Sequence, residues 1–361
     1  FLALREDKPA REVRRERAAA DVHDPPEPTR RRKKASPARA AAPEPAVAPA
    51  PQAQPAAPAT RSRAGRNAGV RVAGVALTHP DRVLYPEQGL TKQALAQFYV
   101  AVAPFALPHL AERPLSLVRC PQGRARTCFF QKHLGPGAPH ALVPVQVPEG
   151  DGTDTYAMLR DAAGLVALVQ LGVLEIHPWG SRADRLDRPD RLILDLDPAP
   201  DVSFERVKEA AVQVRDVLAA HGLESFVKTT GGKGLHVVAP LGRRADWNTL
   251  KAFARGIAQQ MDRTAPRDYV ATASNARRTG RIFVDWLRNA RGATAVGPYV
   301  TRARPNAPVA TPLAWKELAA LPSADHYTVA NFEARRKQIK KKDPWAGFFE
   351  LRQALPASLR A

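Results

Sequence analysis

The sequence predicts an α+β fold, with mixed, mostly antiparallel sheets flanked by helices. Amphipathic helices are interspersed with short apolar runs, without the strict alternation of strand and helix that parallel sheets require. A hydrophobic content of 44% over 361 residues is enough for a sizeable core. The four apolar runs of strand length are Arg191–Asp197, Ser225–Thr229, Leu235–Ala239 and Arg281–Leu287.

The predicted helices have recognisable ends. Thr91 is the expected N-cap of a helix over Lys92–Ala103, which Pro104 should end. Two amphipathic helices are predicted over Phe204–Ala220 and Trp247–Asp262. The remaining predicted elements are a strand over Val75–Thr78, paired strands over Leu115–Arg119 and Thr127–Phe130, a helix over Ala162–Leu171 and a strand through Glu175–His177.

Basic residues outnumber acidic ones by 55 to 35, and the formal charge is +20. Residues 1–72 contribute +8 of this charge and residues 73–361 contribute +12. Such an excess indicates a polyanionic partner, most simply nucleic acid. Residues 21–72 are rich in Ala, Pro and Arg and contain no aromatic residue, which predicts a disordered linker.

Other features exclude whole classes of protein. No run of about 18 uncharged apolar residues is present, so we expect no membrane-spanning helix. Two cysteines, Cys120 and Cys128, are too few for a disulfide scaffold, and their spacing is not that of a zinc knuckle. The first eight residues contain an acidic pair where a signal peptide would be apolar, and the chain lacks an initial Met. We therefore expect a piece of a longer intracellular polypeptide in a reducing compartment.

Two aspartates alternate along one predicted strand. In the run Leu192–Pro198, Asp195 and Asp197 point to one face and the leucines between and before them point to the other. Two carboxylates aimed together repel each other unless a cation lies between them, and their oxygens suit Mg²⁺ or Mn²⁺. The alternative is a pair of solvated turn aspartates, but the apolar run favours the metal site.

A third aspartate, Asp285, lies in an apolar run that is otherwise fit for a core strand. Burying a carboxylate without a partner is unfavourable. It could form a structural salt bridge with Arg281 or Arg288, or it could complete the metal site, where three acids can hold two cations for phosphoryl displacement. The sequence does not decide between these interpretations.

A glycine-rich stretch over Lys228–Val238 lies between two predicted strands. Its glycines would let backbone N–H groups approach a phosphate, and Lys233 supplies positive charge. It is not a Walker A loop, because that spacing is absent and a strand follows. A glycine-rich hairpin turn is the alternative. Together with the arginines around Asp285, three acids and several cations are the residue types that nucleotidyl transfer needs.

Three motifs closely resemble the polymerase domain of bacterial ATP-dependent DNA ligase D: Asp195–Pro198, Thr229–His236 and Gly280–Asp285. That domain belongs to the archaeo-eukaryotic primase superfamily, so the resemblance implies a primase-polymerase catalytic core over residues 73–350. The opening Phe1–Ala10 looks like the end of the ligase domain, which implies a ligase remnant over residues 1–20, the linker over 21–72 and a tail over 351–361. Further matches follow in order at Arg82–Pro86, Gly89–Lys92, Arg113–Leu115, Phe129–His133, Glu175–Trp179 and Ala303–Pro305.

The resemblance also implies roles for single residues. Asp195, Asp197 and Asp285 match the catalytic metal ligands, with two Mn²⁺ or Mg²⁺ ions as the cofactor. Arg82 and Lys92 match a pocket for the 5′-phosphate across a gap, and Phe129 matches a residue that stacks on the template. The alternatives are two surface cations and a core phenylalanine. The residues that match nucleotide-binding positions are Thr230, Lys233, His236, Arg278, Arg302, His177 and Phe130.

The implied function is nucleotide addition, preferably of ribonucleotides, to 3′-hydroxyl ends at DNA breaks and gaps during bacterial non-homologous end joining. The implied partners are double-stranded DNA ends and gaps with a 5′-phosphate, nucleoside triphosphates, Ku and the ligase domain of the same polypeptide, with no membrane. The expected location is the bacterial cytoplasm, on the nucleoid. A non-catalytic module that bridges DNA ends and a stand-alone primase are the alternatives.

Overall fold

Two β-sheets carry the motifs that the sequence analysis singles out. In the computed structural model, residues 69–356 are described, so the expected ligase remnant and nearly all of the expected linker lie outside the described residues, as do residues 357–361. Within this range the helices are α1 (Lys92–Leu110), α2 (Ala162–Gln170), α3 (Phe204–Ala220), α4 (Trp247–Thr264) and α5 (Phe332–Lys341). The strands are β1 (Arg71–Val72), β2 (Val75–Ala76), β3 (Val83–Tyr85), β4 (Leu90–Thr91), β5 (Leu115–Arg119), β6 (Phe129–Gln131), β7 (Val143–Glu149), β8 (Gly152–Met158), β9 (Val173–Pro178), β10 (Arg191–Pro198), β11 (Phe226–Thr229), β12 (Leu235–Pro240), β13 (Tyr269–Val270), β14 (Ile282–Asp285) and β15 (Pro312–Leu313).

The larger sheet has the order β13-β14-β10-β12-β11-β15. Its pairs are antiparallel except for β13 with β14, which is parallel. The second sheet has five strands: β5 pairs with β6, β8 and β9, and β7 pairs with β8, all antiparallel. The predicted α+β class, with mixed and mostly antiparallel sheets, is therefore confirmed.

The larger sheet packs one face against α3 and α4, and the candidate site residues lie on its other face. On β10, Leu192, Leu194 and Leu196 are fully buried in the same apolar cluster as the inner faces of α3 and α4. Because side chains alternate along a strand, Asp195 and Asp197 lie on the opposite face. The packing of the two helices thus determines which face of the sheet carries the aspartates.

The second core joins α1 and α2 to the five-stranded sheet. A buried hydrogen-bond chain ties it to the segment that follows β14. The hydroxyls of Tyr99 and Thr301 lie 3.0 Å apart, and the Thr301 hydroxyl donates to the Leu174 carbonyl at 2.7 Å. These hydrogen bonds hold Thr301, and with it the neighbouring Arg302, against β9.

The predicted end of α1 at Pro104 is wrong. The helix continues through Pro104 and Pro108 to Leu110, although each proline removes one backbone donor. Ala106 and Leu110, beyond the first proline, are fully buried, and this burial outweighs the lost hydrogen bonds. The predicted N-cap is confirmed, because the Thr91 side chain accepts from the Ala94 N–H at 3.2 Å.

Three further features differ from or add to the sequence analysis. The hairpin of β7 and β8 was not predicted, and β1 forms from residues at the end of the expected linker. Cys120 and Cys128 form one disulfide bond, which their number alone did not predict. Among residues 69–356, no helix combines the length and the apolar character needed to cross a membrane.

Candidate active site

One row of paired residues runs across four strands of the larger sheet. His236 on β12 is opposite Asp195 on β10, and Asp195 is in turn opposite Asp285 on β14. Lys228 on β11 is opposite His236 from the other side. Residues directly opposite in antiparallel strands share a face, and Asp197, two residues from Asp195, shares that face as well. The structure therefore brings the three predicted metal ligands to one face of two neighbouring strands.

Two arginines contact these carboxylates. The Arg288 Nη2 lies 2.9 Å from the Asp285 Oδ2, and its Nε lies 3.5 Å from the Asp195 Oδ2. The Arg278 Nη1 donates to the Asp197 Oδ2 at 2.9 Å. Both interpretations of Asp285 therefore have a basis in the structure, since it forms a salt bridge with Arg288 and also faces Asp195. Arg278, predicted to bind the triphosphate, lies with the carboxylates.

The three carboxyl groups differ in how easily they ionise. Burial raises the pKa of Asp285 to about 6, because the charge of Arg288 does not offset burial and the repulsion from Asp195. Burial and the charge of Asp195 also raise the pKa of Asp197. Burial opposes ionisation of Asp195 too, but its interactions with His236 and Arg288 outweigh it and lower its pKa. Two clustered acids that resist ionisation are characteristic of a site that gains stability from an added cation.

His236 and Lys228 form the buried end of the row, each only 2% exposed. The His236 Nε2 lies 3.4 Å from the Asp195 Oδ1. Burial and the charge of Lys228 lower the pKa of His236 to about 4. Burial and the charge of Arg302 lower the pKa of Lys228 to about 7. The sequence analysis gave no role to Lys228, because its place beside His236 follows only from the strand register.

The glycine-rich loop is closed by the hydroxyl of Thr230. This hydroxyl donates to the Gly234 carbonyl at 2.9 Å and accepts from the N–H groups of Gly232 at 3.2 Å and Gly234 at 3.3 Å. A Cβ at Gly234 would overlap the Leu196 carbonyl oxygen, so this position requires glycine for close approach to β10. Lys233 is exposed on the loop. The phosphate contact of Thr230 stays a prediction, since its hydroxyl is used inside the loop.

Glu175 on β9 contacts two of the residues predicted to bind the nucleotide. Its Oε2 lies 2.8 Å from the His177 Nε2 and 2.9 Å from the Arg302 Nε, and its Oε1 accepts from the Ala303 N–H at 2.8 Å. Burial would raise the pKa of Glu175, but the His177 hydrogen bond and the charge of Arg302 lower it to about 2. The Arg302 Nη1 also donates to the Thr230 carbonyl at 2.8 Å, which links β9 to the glycine-rich loop.

Glu175 is part of the motif Glu175–Trp179 that resembles the family, but the sequence alone assigned it no role. The available signal was its spacing from His177, since residues two apart on a strand lie on the same face. Arg288 was considered only as a salt-bridge partner of Asp285. Its second contact, with Asp195, depends on the pairing of β10 with β14.

The two phenylalanines of β6 lie on opposite faces of that strand. The Phe130 ring lies edge-on to the His177 ring, with centroids 6.4 Å apart, which places it beside that predicted nucleotide ligand. Phe129 is 44% exposed, and the Arg119 guanidinium lies 5.4 Å from its ring centroid. The alternative of a core phenylalanine at position 129 is therefore wrong.

Arg82 and Lys92 are neighbours, as a shared pocket requires. The Lys92 N–H donates to the Arg82 carbonyl at 2.8 Å. The Arg82 Nη1 donates to the Pro121 carbonyl at 2.8 Å. Lys92 is only 3% exposed, and its Nζ donates to the Thr78 carbonyl at 2.9 Å, so the alternative of two surface cations is wrong for this residue. Burial and the charge of Arg82 lower the pKa of Lys92.

A separate group of metal-ligating side chains lies on the second sheet. The His133 Nε2 is 3.4 Å from the Asp154 Oδ2 and 4.0 Å from the Glu149 Oε2. In the described part of the chain, this is the group of three such residues whose ligand atoms all lie within 4.8 Å of one another. The three aspartates do not converge as tightly. Exposed acidic groups are common in proteins without a bound metal, so this group does not by itself define a metal site.

Comparison with known proteins gives a consistent result. Residues 91–345 match the family model described as "LigD, primase-polymerase domain". Over 360 residues the chain is 38% identical to the multifunctional non-homologous end joining protein LigD of Pseudomonas aeruginosa, covering all of this chain and 39% of that protein. It is 35% identical over 251 residues to the protein of that name from Mycolicibacterium smegmatis, covering 69% of this chain and 33% of the relative. The chain thus spans less than half the length of these curated relatives.

A solved structure agrees with these sequence matches. The polymerase domain of Mycobacterium tuberculosis ligase D, in complex with DNA, superposes with a TM-score of 0.69 at 33% sequence identity. The match covers 74% of this chain and 95% of that domain. The chain therefore belongs to the LigD primase-polymerase family, a family of nucleotidyltransferases.

Proposed function

We propose that this chain adds nucleotides, preferably ribonucleotides, to DNA 3′-hydroxyl ends at breaks and gaps, as the polymerase of bacterial non-homologous end joining. The observation that carries the proposal is the position of Asp285 directly opposite Asp195, with Asp197 on the same face. The glycine-rich loop that joins β11 to β12 stands at the end of the same sheet. The ribonucleotide preference is supported by the family resemblance.

The three aspartates fit a divalent-cation site. Their oxygens are the hard ligands that Mg²⁺ and Mn²⁺ prefer. Burial, together with the charge of Asp195, raises the pKa of Asp285 and of Asp197 despite Arg288 and Arg278, and an added cation would favour the ionised form of both. We propose that these carboxylates hold two ions, Mn²⁺ or Mg²⁺. When bound, such ions would activate the 3′-hydroxyl and stabilise the pyrophosphate leaving group.

The chain's own cations would bind and orient the triphosphate. Lys233 is exposed on the glycine-rich loop and free to follow a phosphate, whereas Arg302 is fixed by Glu175 and by the Thr230 carbonyl. A fixed guanidinium loses little conformational freedom when it binds a phosphate. We expect Arg302 to define the position of the triphosphate. The adjacent His177 and Phe130 would contact the sugar and the base.

The decisive test is incorporation of labelled nucleotide at a primer terminus with Mn²⁺, with and without a chelator. Asp285→Ala should lower incorporation by at least about 100-fold, because it removes one of three ligand carboxylates. Asp187→Ala is the matched control, since Asp187 is exposed and its ion-pair partner is Arg291. DNA affinity should be unchanged in both variants. Incorporation within threefold of the parent in Asp285→Ala, or parent activity that resists the chelator, would contradict the proposed metal site. Absence of incorporation by the parent would favour a non-catalytic end-bridging module.

The DNA side of the proposal concerns the 5′-phosphate across a gap. The M. tuberculosis polymerase domain is described in complex with DNA, which supports a DNA substrate here. Arg82 is half-buried, with Lys92 beside it, so Arg82 is the residue that we propose to contact the phosphate. Arg82→Gln should abolish the tighter binding of gaps with a 5′-phosphate over gaps without one. Arg336→Gln, on α5, should keep that preference, and an equal preference in Arg82→Gln and the parent would exclude the pocket.

We propose that the chain works with Ku and with a ligase domain of the same polypeptide, on the nucleoid in the bacterial cytoplasm. The names of the P. aeruginosa and M. smegmatis relatives support a multifunctional end-joining protein. A stand-alone primase would start chains on single-stranded DNA without a primer. Primer-free synthesis at a rate matching end extension would therefore contradict this proposal.

A further inference from the structure

The disulfide between Cys120 and Cys128 lies at the end of the paired strands β5 and β6. In this ladder Val118 pairs with Phe130 and Arg119 pairs with Phe129. The next position on each strand is a cysteine, and the Cα atoms of the two cysteines are 4.3 Å apart. The bond therefore joins residues that stand directly opposite each other, and it extends the ladder by one covalent pair.

The two cysteine residues have very different access to solvent. Cys120 is fully buried, and its N–H donates to the Gly172 carbonyl at 2.7 Å. Cys128 is exposed. Thiol–disulfide exchange begins when a thiolate attacks an accessible sulfur. Cys128 is therefore the residue of the pair that an incoming thiolate would reach, and Cys120, fixed in the core, would be the leaving group.

The bond also joins the start of β6 to the end of β5. The far end is anchored on β8, where His133 bridges Tyr156 and the Leu134 N–H donates to the Thr155 carbonyl at 2.7 Å. The near end begins with Phe129, which is 44% exposed and contacts the Arg119 guanidinium. This end of the strand is held by its pairing with β5 and by the disulfide.

We propose that Cys120 and Cys128 form a redox-sensitive site that controls how well the first residues of β6 are ordered, and thereby the position of Phe129. The inference rests on the proposed function in one respect, the template contact of Phe129. Disulfides in a reducing cytoplasm are usually transient and redox-sensing, which agrees with one accessible bond beside a substrate-binding strand.

The reaction is an exchange with a dithiol protein of the thioredoxin class. One thiolate of the dithiol attacks the Cys128 Sγ, the disulfide breaks, and Cys120 leaves as a thiolate that takes up a proton. The second thiolate of the dithiol then attacks the mixed disulfide and releases Cys128. The dithiol is oxidised to a disulfide by the loss of two electrons, and the two cysteines are reduced to thiols.

The first experiment tests the redox site without reference to polymerase activity. The protein is equilibrated in glutathione buffers from oxidising to reducing, and alkylated thiols are counted by mass spectrometry. We expect the number of alkylated thiols per chain to rise from zero to two in one step as the buffer becomes more reducing. Amide exchange of residues 129–131 should then be at least about fivefold faster in the reduced protein, with residues 143–158 unchanged. Two thiols at every potential, or equal exchange in both states, would overturn the proposal.

The second experiment measures the affinity for a duplex with a 3′ overhang in both redox states. Reduction should weaken binding at least about threefold. Cys128→Ser, which leaves the buried Cys120 in place, should bind like the reduced protein in either buffer. Phe129→Ala should remove the redox dependence. Equal affinity of both states despite faster exchange would overturn the link to the template. Absence of nucleotide incorporation in both states would contradict the proposed function instead.

Discussion

Replacing Glu175 by Gln tests whether one buried carboxylate holds the predicted nucleotide-binding residues in place. The side chain is 8% exposed and contacts His177, Arg302 and the Ala303 N–H. Glutamine keeps the shape and one acceptor oxygen but removes the charge. The variant therefore isolates the ion pair with Arg302 and the charged hydrogen bond with His177.

The pKa of Glu175 gives the size of the expected effect. A carboxyl whose pKa falls from 4.5 to about 2 on folding contributes about 3 kcal/mol to stability at neutral pH. Removal of one partner from a buried ion pair costs a similar amount, about 3–5 kcal/mol, because the remaining charge is left buried. We expect Glu175→Gln to lower the free energy of unfolding by about 3 kcal/mol at pH 7.

Urea denaturation followed by circular dichroism would measure this difference. The folded-state pKa of Glu175 is lowered, so its stabilisation is complete above pH 4.5 and is lost as the pH falls toward 2. The gap between parent and variant should accordingly narrow between pH 4.5 and pH 3. Glu333→Gln is the control, because Glu333 forms an exposed ion pair with Arg336 and should leave stability near that of the parent.

Two results would refute this reasoning. A loss of stability below about 1 kcal/mol at pH 7 would mean that Glu175 behaves as a surface ion pair. A stability difference between parent and variant that stays constant down to pH 3 would mean that the charge of Glu175 is not the cause.

The Michaelis constant for the nucleotide should also rise in Glu175→Gln, since Arg302 and His177 lose a shared anchor. An unchanged constant would separate the ion pair from nucleotide binding.

Two further predictions concern stability measured by the same denaturation assay. Gly234→Ala should cost about 2 kcal/mol or more, because its Cβ would overlap the Leu196 carbonyl. Gly152→Ala should cost under about 1 kcal/mol, because its Cβ would only make an ordinary contact with the Glu149 carbonyl at 3.9 Å. Arg113→Met should cost about 3 kcal/mol, because Arg113 is fully buried and forms a two-pronged salt bridge with Asp190. A loss below about 1 kcal/mol in Gly234→Ala or in Arg113→Met would contradict the packing described for that residue.

Local patterns predicted the helices best. The bounds of α3 are those expected, Phe204–Ala220, since an amphipathic stretch between Ser203 and Gly222 carries its own start and stop signals. The hairpin of β7 and β8 was missed because Pro144 and Pro148 argue against a strand. Strand β7 tolerates both prolines at the edge of its sheet, where one side of the backbone needs no strand partner. An edge position is a property of the assembled sheet.

The order of residues along the chain was enough to identify the family and the fold class and to select three aspartates as candidate metal ligands. Alternation along a strand and the spacing of the motifs are local properties of the sequence. Only the tertiary structure decided that Asp285 stands opposite Asp195, that Lys228 extends the same row, and that Glu175 joins His177 to Arg302. These contacts depend on strand register and on burial. Both arise when distant segments pack together, so no window of the sequence contains them.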